Sequence, residues 1–395
     1  MKHIKAFLLD VDYVMKGGKS CVRLFLKEDG KAFRLFDPFE SYFYLLPDKS
    51  IAEAKRLVEN LVMYDRSGSL VKPKRFEVVK KNFLNKEKEL LKVFADHPTQ
   101  VPRLREEAKR FGHTFEHAIP YAARRYLIDK HLTPTSLVEI EFDEKTRMVK
   151  HVENIEEKID LIPDLRKLAF DIETYNPKGM PTPATDPCIM ISYADESSSG
   201  VLTFSKKTDS KFVKSFSSEQ ELLEGFCSLL REKKTDLLYS YNGDVFDLPY
   251  LMERAKKIKA KFFPGRDKHP LFARKRGIRS VVQIGGRIHL DVFNAVSFLN
   301  VIGAVRFPRL TLDKVYFELL GKEKEDIRKL DIYKAWDRGG KELEHLLEYS
   351  RSDSIAAFQL GEFILPLQIE LSKVTGTTLF DASRATTGQL VEALL

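Results

Sequence analysis

Apolar positions divide the chain into strand-like and helix-like segments. Short or alternating apolar runs predict strands at 6–14, 21–26, 32–36, 42–46, 75–83 and 89–94. Asp29-Gly30 lies between the second and third of these and marks a tight hairpin turn. Ser50, with Glu53 three residues on, has the pattern of a capping box and opens a helix to about residue 63. Further helices are expected at 102–111 and 120–130. Together these elements predict a β-rich α+β domain over 1–133. Pro134 and the charge-rich stretch 139–158 interrupt the pattern, so 134–165 reads as a linker or insertion, with strand character at 137–142.

A second pattern starts at Leu168. Strands at 168–174, 188–194 and 200–204 follow one another closely and are expected to be antiparallel. Ser218 and Glu221 cap a helix to about 231, and 236–241 is a strand. A helix follows Phe246, with Pro249 in its first turn, and a further strand lies around 280–291. Three strands followed by alternating helix and strand predict a mixed α/β sheet covered by helices on both faces. The stripe Leu343, Leu346, Leu347, Ala357 and Phe358 predicts a helix over 342–365, ended by Pro366. The second domain thus spans 166–365, and 366–395 is expected to return to the first domain, with another helical segment at 380–395.

With 395 residues, 43% of them hydrophobic and 11% aromatic, the chain can build two or three domains with cores of their own. No run of 18 uncharged apolar residues occurs, so no transmembrane helix is expected. Asp10 and Asp12 come too soon for a secretory signal, and the expected compartment is the cytoplasm. Cys21, Cys188 and Cys227 are odd in number and far apart, which fits a reducing compartment better than a disulfide framework or a zinc site. The net charge of +8 suits a polyanionic partner, with basic runs at 72–81, 256–261 and 274–279.

Strand geometry sends Asp171 and Glu173 to the same face of 168–174. Adjacent carboxylates on a core strand repel each other and lose hydration, unless hard cations such as Mg²⁺ or Mn²⁺ lie between them. A strand whose polar face meets water would show the same alternation. Asp247 opens a helix after the Asn242-Gly243 turn, and Tyr349 and Asp353 are one helical turn apart. Four acids and a tyrosine on three elements form one plausible site. Two divalent ions roughly 3.5–4 Å apart activate water and stabilise the departing oxyanion of a phosphodiester. Asp171 is placed to bridge them, Glu173 and Asp353 to complete the first, and Asp247 to support the second through water. Tyr349 would orient the attacking water, and Asn242 and Phe246 would hold a frayed strand end. A plain turn at Asn242 and a core aromatic at Phe246 fit equally well.

Phe170-Asp171-Ile172-Glu173, Asn242 with Phe246-Asp247, and Tyr349 with Asp353 resemble the three exonuclease motifs of family B DNA polymerases. They are similar to the tyrosine-containing branch of the four-acid 3′–5′ exonucleases, which use a ribonuclease-H-like fold. The resemblance implies a competent proofreading exonuclease with two Mg²⁺ or Mn²⁺ ions. It makes Asp171, Glu173, Asp247, Tyr349 and Asp353 catalytic and gives Thr174, Asn242 and Phe246 contacts to DNA. Arg274-Lys275-Arg276 looks like the tip of the family's exonuclease-domain hairpin, another DNA contact. Leu9 to Tyr13, His97 to Pro102 and Arg125 to Lys130 resemble the archaeal-type N-terminal domain, which pockets template uracil. By position Tyr13, Pro98, Val101 and Arg125 would line that pocket, although Ser41 stands where the family usually has proline.

The palm signatures of the family, Ser-Leu-Tyr-Pro-Ser and Tyr-Gly-Asp-Thr-Asp, do not occur, and 380–395 resembles the stretch just before the palm. The expectation is a proofreading portion, nucleoid-associated, acting on single-stranded or frayed DNA. A polymerase domain or a separate polymerase chain would serve as partner, whether the gene is split or the chain was cut. A sliding clamp would join through the full enzyme. One alternative is a non-catalytic DNA-binding, uracil-sensing module. Another is an RNA-trimming nuclease of the same fold.

Overall fold

The computed structural model describes residues 1–65, 68–115, 122–155, 161–206, 208–267, 269–276, 279–324 and 332–394. It separates into two compact units, Met1–Leu161 with Gly376–Thr378, and Ile162–Thr375 with Leu379–Leu395.

The first unit holds a five-stranded antiparallel sheet in the order Val149–Asn154, Leu137–Phe142, Lys2–Lys16, Lys19–Glu28, Lys31–Pro38. Positive φ at Asp29 and Gly30 turns its hairpin, as the Asp-Gly pair requires. The stretch expected as a linker at 134–165 therefore contributes two strands to this sheet. Its apolar positions Val138, Ile140, Phe142, Val149 and Val152 alternate with charges and bury against Leu8, Leu24 and Tyr126. Of the two strands, the one at 137–142 was expected; charge density hid the one at 149–154. A second, four-stranded sheet pairs Arg75–Phe83, Lys86–Phe94, Tyr42–Pro47 and Gly112–Phe115. Phe43, Leu45, Leu91 and Val93 pack there against Ala54, Val58 and Leu104 of two helices, Ile51–Glu59 and Val101–Ala108. Ser50 caps the first helix by accepting the Glu53 N–H at 3.2 Å. Pro120, the expected start of the third helix, lies outside the described residues; the helix there is Ala122–Asp129.

The second unit is built on a six-stranded mixed sheet. Its order is Val213–Phe216, Ser199–Phe204, Cys188–Ala194, Lys167–Thr174, Leu237–Ser240, Ile288–Asp291. The three strands 167–174, 188–194 and 199–204 pair antiparallel, while Leu237–Ser240 and Ile288–Asp291 join in parallel. Leu168, Phe170 and Ile172 face one core, with Leu222, Phe226 and Leu251 of the helices Glu219–Glu232 and Asp247–Ile258. The opposite face meets a helix of 36 residues, Gly340–Thr375, whose Leu343, Leu346 and Leu347 pack on Ile189, Met190 and Val201.

Three expectations change here. Pro366 does not end that helix: Ile364, Leu365 and Ile369 remain buried on either side of it. Their burial offsets the roughly 3 kcal/mol of an internal proline. The segment at 280–291 is two strands, Arg279–Gln283 of a hairpin with Phe272–Arg276, and Ile288–Asp291 of the main sheet. Residues beyond 378 pack within the second unit, as short helices Leu379–Ala382 and Thr387–Leu394, and only Gly376–Thr378 join the first. Helices Val292–Val301 and Leu312–Leu320 had no counterpart in the sequence reading. The first is apolar nearly all round and so lacks the polar stripe that marks a helix.

Candidate active site

Because the even residues of Lys167–Thr174 fill the core beneath, Asp171 and Glu173 are turned to the face covered by the long helix. That helix, fixed by its leucine stripe, brings Tyr349 and Asp353 over them, 8% and 5% exposed. Carboxylate oxygens of Asp171, Glu173 and Asp353 lie within 4.8 Å of one another. Asp247, 3% exposed, is the first residue of its helix, where the helix dipole favours a negative charge.

Burial, then the charges of Asp247, Asp353 and Glu173, push the Asp171 carboxyl well above the usual carboxylate range. Asp247 therefore acts on the cluster even though it is not among the three closest acids. The Tyr349 hydroxyl is raised too, first by burial and then by Asp353, Glu173 and Asp171. Among the described residues the Lys324 ammonium answers this negative charge: it bonds to Asp353 and sits 4.6 Å from the centre of the Tyr349 ring. No sequence pattern singles out Lys324, because one lysine in a basic chain has no distinguishing neighbours. A cluster of buried oxygen donors that repel each other fits a hard divalent cation.

The turn before Asp247 is held as tightly as the strand. Asn242 is left-handed, with φ 71°, and its carbonyl accepts the Phe246 N–H at 3.1 Å. A Cβ at Gly243 would come 2.2 Å from Ser240 Oγ, so only glycine fits. The Phe246 ring lies 5.4 Å from Tyr250, partly buried against the core. Thr174 is buried at the end of the central strand, just past a bulge opposite Cys188. The backbone of Arg274, Lys275 and Arg276 forms one arm of the hairpin, whose turn at 277–278 and the three side chains lie outside the described residues.

In the first unit each of the four residues expected at a pocket has its own surroundings. Tyr13 stands edge-on to His97, 5.6 Å between ring centres, beside Pro98. Val101 packs into the core below the second sheet. Arg125 pairs with Asp129 at 2.8 Å and faces the Tyr42 ring. An open cleft next to Tyr42 and Asp129 is walled by Phe94, Lys74, Arg75 and Lys92, and by none of the four.

Residues 112–299 match a family described as DNA polymerase family B, exonuclease domain. A DNA polymerase of Pyrococcus glycovorans is 37% identical over 391 residues, 98% of this chain and 46% of that protein. One from Thermococcus sp. (strain GE8) is 37% identical over 394 residues, 98% of this chain and 21% of that protein. The structure of the family B DNA polymerase from the hyperthermophilic archaeon Pyrobaculum calidifontis aligns with a TM-score of 0.83 at 27% identity, over 99% of this chain and 50% of that one. The chain thus spans less than half the length of these curated relatives. The sheet order and the helices on both faces are those of a ribonuclease-H-like exonuclease domain. Residues 112–299 thus carry the exonuclease domain of DNA polymerase family B.

Proposed function

We propose that this chain removes nucleotides by hydrolysis from the 3′ end of single-stranded or frayed DNA, the proofreading step of a family B polymerase. The observation that carries the reading is the convergence of Asp171, Glu173 and Asp353 oxygens within 4.8 Å on a buried face, with Asp247 and Tyr349 beside them. Asp171, Glu173, Asp247 and Asp353 are the residues that would hold two Mg²⁺ or Mn²⁺ ions. Bound there, the ions supply Lewis acidity for the attacking water and charge stabilisation for the leaving oxygen.

The rest falls to the protein. Tyr349, its proton held firmly by burial, donates to or orients the water. Lys324 balances the negative charge and must yield Asp353 when cations enter. Asn242 and Phe246 present a polar group and a ring to the last bases, since stacking on an aromatic side chain tolerates any sequence. Thr174 and the Arg274-Lys275-Arg276 arm extend the DNA contact. Synthesis is assigned to a polymerase domain or chain acting with this one, and a sliding clamp would join through that larger enzyme. No helix among the described residues is long and apolar enough to cross a membrane; a nucleoid location follows from the proposed substrate.

The test is release of mononucleotides from 3′-labelled single-stranded DNA with Mg²⁺ or EDTA, for the wild type and Asp171→Ala. The expected result is metal-dependent release that the substitution removes. Tight binding without release would favour a non-catalytic, uracil-sensing DNA-binding module instead. Release from RNA of the same sequence at an equal rate would mark an RNA-trimming nuclease.

A further inference from the structure

The turn that carries Asn242, Phe246 and Asp247 is anchored from behind by a buried charge network that no exonuclease motif includes. Asp291 accepts the Asn242 N–H at 2.8 Å and the Asp244 N–H at 3.0 Å. Asp244 in turn accepts Arg384 Nε at 2.7 Å and Nη2 at 3.1 Å, and the Asn294 amide at 3.0 Å. Arg384 also donates to the carbonyls of His289 and Phe380, both at 2.9 Å. Its guanidinium lies 3.9 Å over the Phe380 ring. The Arg384 and Asp244 side chains are only 2% and 3% exposed.

Two carboxylates packed back to back behind a turn repel each other. Burial opposes the charge on Asp244, but Arg384 and His289 outweigh it and hold the carboxyl well below the usual range. Burial and the Asp244 charge raise Asp291. With the arginine absent, Asp244 would be a buried anion beside Asp291 that keeps His289 and the Asn294 amide but has lost its guanidinium, a loss that favours moving the two acids apart. The backbone that yields is the one ending at Asp247.

We infer that Arg384 is a positioning residue of the acidic site: its fork on Asp244 sets the turn that aims Asn242, Phe246 and Asp247. The segment between the two short helices at 379–394 thereby governs a site to which it contributes no reacting group. This inference rests on the exonuclease reading for its consequence, and on the hydrogen-bond network for its structure. A bidentate guanidinium is required, because an ammonium satisfies one carboxylate oxygen at a time.

The experiment compares the full chain with Arg384→Ala, Arg384→Lys and Asp244→Asn, well below each unfolding midpoint, by amide hydrogen exchange and by single-stranded DNA hydrolysis. Exchange of the Phe246 and Leu248 amides should quicken at least tenfold in Arg384→Ala and in Asp244→Asn, with amides of the central strand 168–172 unchanged. The turnover number should fall at least tenfold, and Arg384→Lys should recover part of both. Equal quickening across the second unit, or wild-type exchange at 246–248, would overturn the positioning role and leave Arg384 a structural residue. If Arg384→Ala does not fold, the lysine and asparagine variants decide by the same criterion. A wild type that releases no nucleotide defeats the exonuclease reading alone, since the exchange arm still reports on Arg384.

Discussion

Replacing Asp171 by Asn separates what the acidic pocket does for activity from what it costs in stability. At 4.8 Å and an effective dielectric of about 20, each ionised neighbour opposes Asp171 by about 3 kcal/mol. Lys324 offsets part of this, and a residual strain of about 1–2 kcal/mol would correspond to about 3–6 °C in melting temperature for a unit of this size. In EDTA, Asp171→Asn should therefore melt higher than the wild type. Manganese reverses the order. At a hundred times its dissociation constant a bound ion stabilises by about 2.7 kcal/mol, and the amide, a poorer ligand without charge, forfeits most of that gain. Losing the same 2.7 kcal/mol from the transition state lowers the rate about 100-fold. Differential scanning fluorimetry with EDTA and with a manganese titration measures the first two effects, and nucleotide release the third. A variant that melts below the wild type in EDTA, or shows the same manganese shift, would refute the electrostatic account of the pocket.

Gly361 lies where a Cβ would meet the Tyr239 ring at 2.6 Å. Gly361→Ala must lift the long helix or turn the ring, at about 1–3 kcal/mol; with Asp353 about 12 Å away along the same helix, nucleotide release should fall at least tenfold, and an unchanged rate would show that the helix absorbs the shift locally. Asp195 meets Lys233 at 2.8 Å and the N–H groups of Ser197 and Ser198; burial opposes its charge, but these bonds prevail and bring its pKa to about 2. Because the folded pKa lies below the unfolded value, the stabilisation is complete above about pH 4 and is lost as pH falls toward 2. Asp195→Asn should be about 1–2 kcal/mol less stable at pH 7 in urea unfolding, with a difference that closes over that window; a constant difference would assign the loss to packing.

Much of the site was legible because strand and helix periods are arithmetic. Alternation placed Asp171 and Glu173 on one face, and a spacing of four placed Tyr349 above Asp353, before any tertiary contact was known. What fills the space between elements was not legible. Lys324 and Arg384 reach their carboxylates from loops whose course no periodicity reports. The strand at 149–154 was concealed by charges on its solvent face, and the helix beyond Pro366 by the assumption that proline always stops a helix. In each of these cases packing overrode a local signal.

The three nearest acids come from a strand near the start of the second unit and a helix near its end, so 182 residues separate Asp171 from Asp353. During synthesis at about 5–20 residues per second the emerging polypeptide lacks its last ligand for roughly 10–35 s. On the exonuclease reading proposed above, a nascent copy holds an incomplete ligand set until residue 353 has emerged.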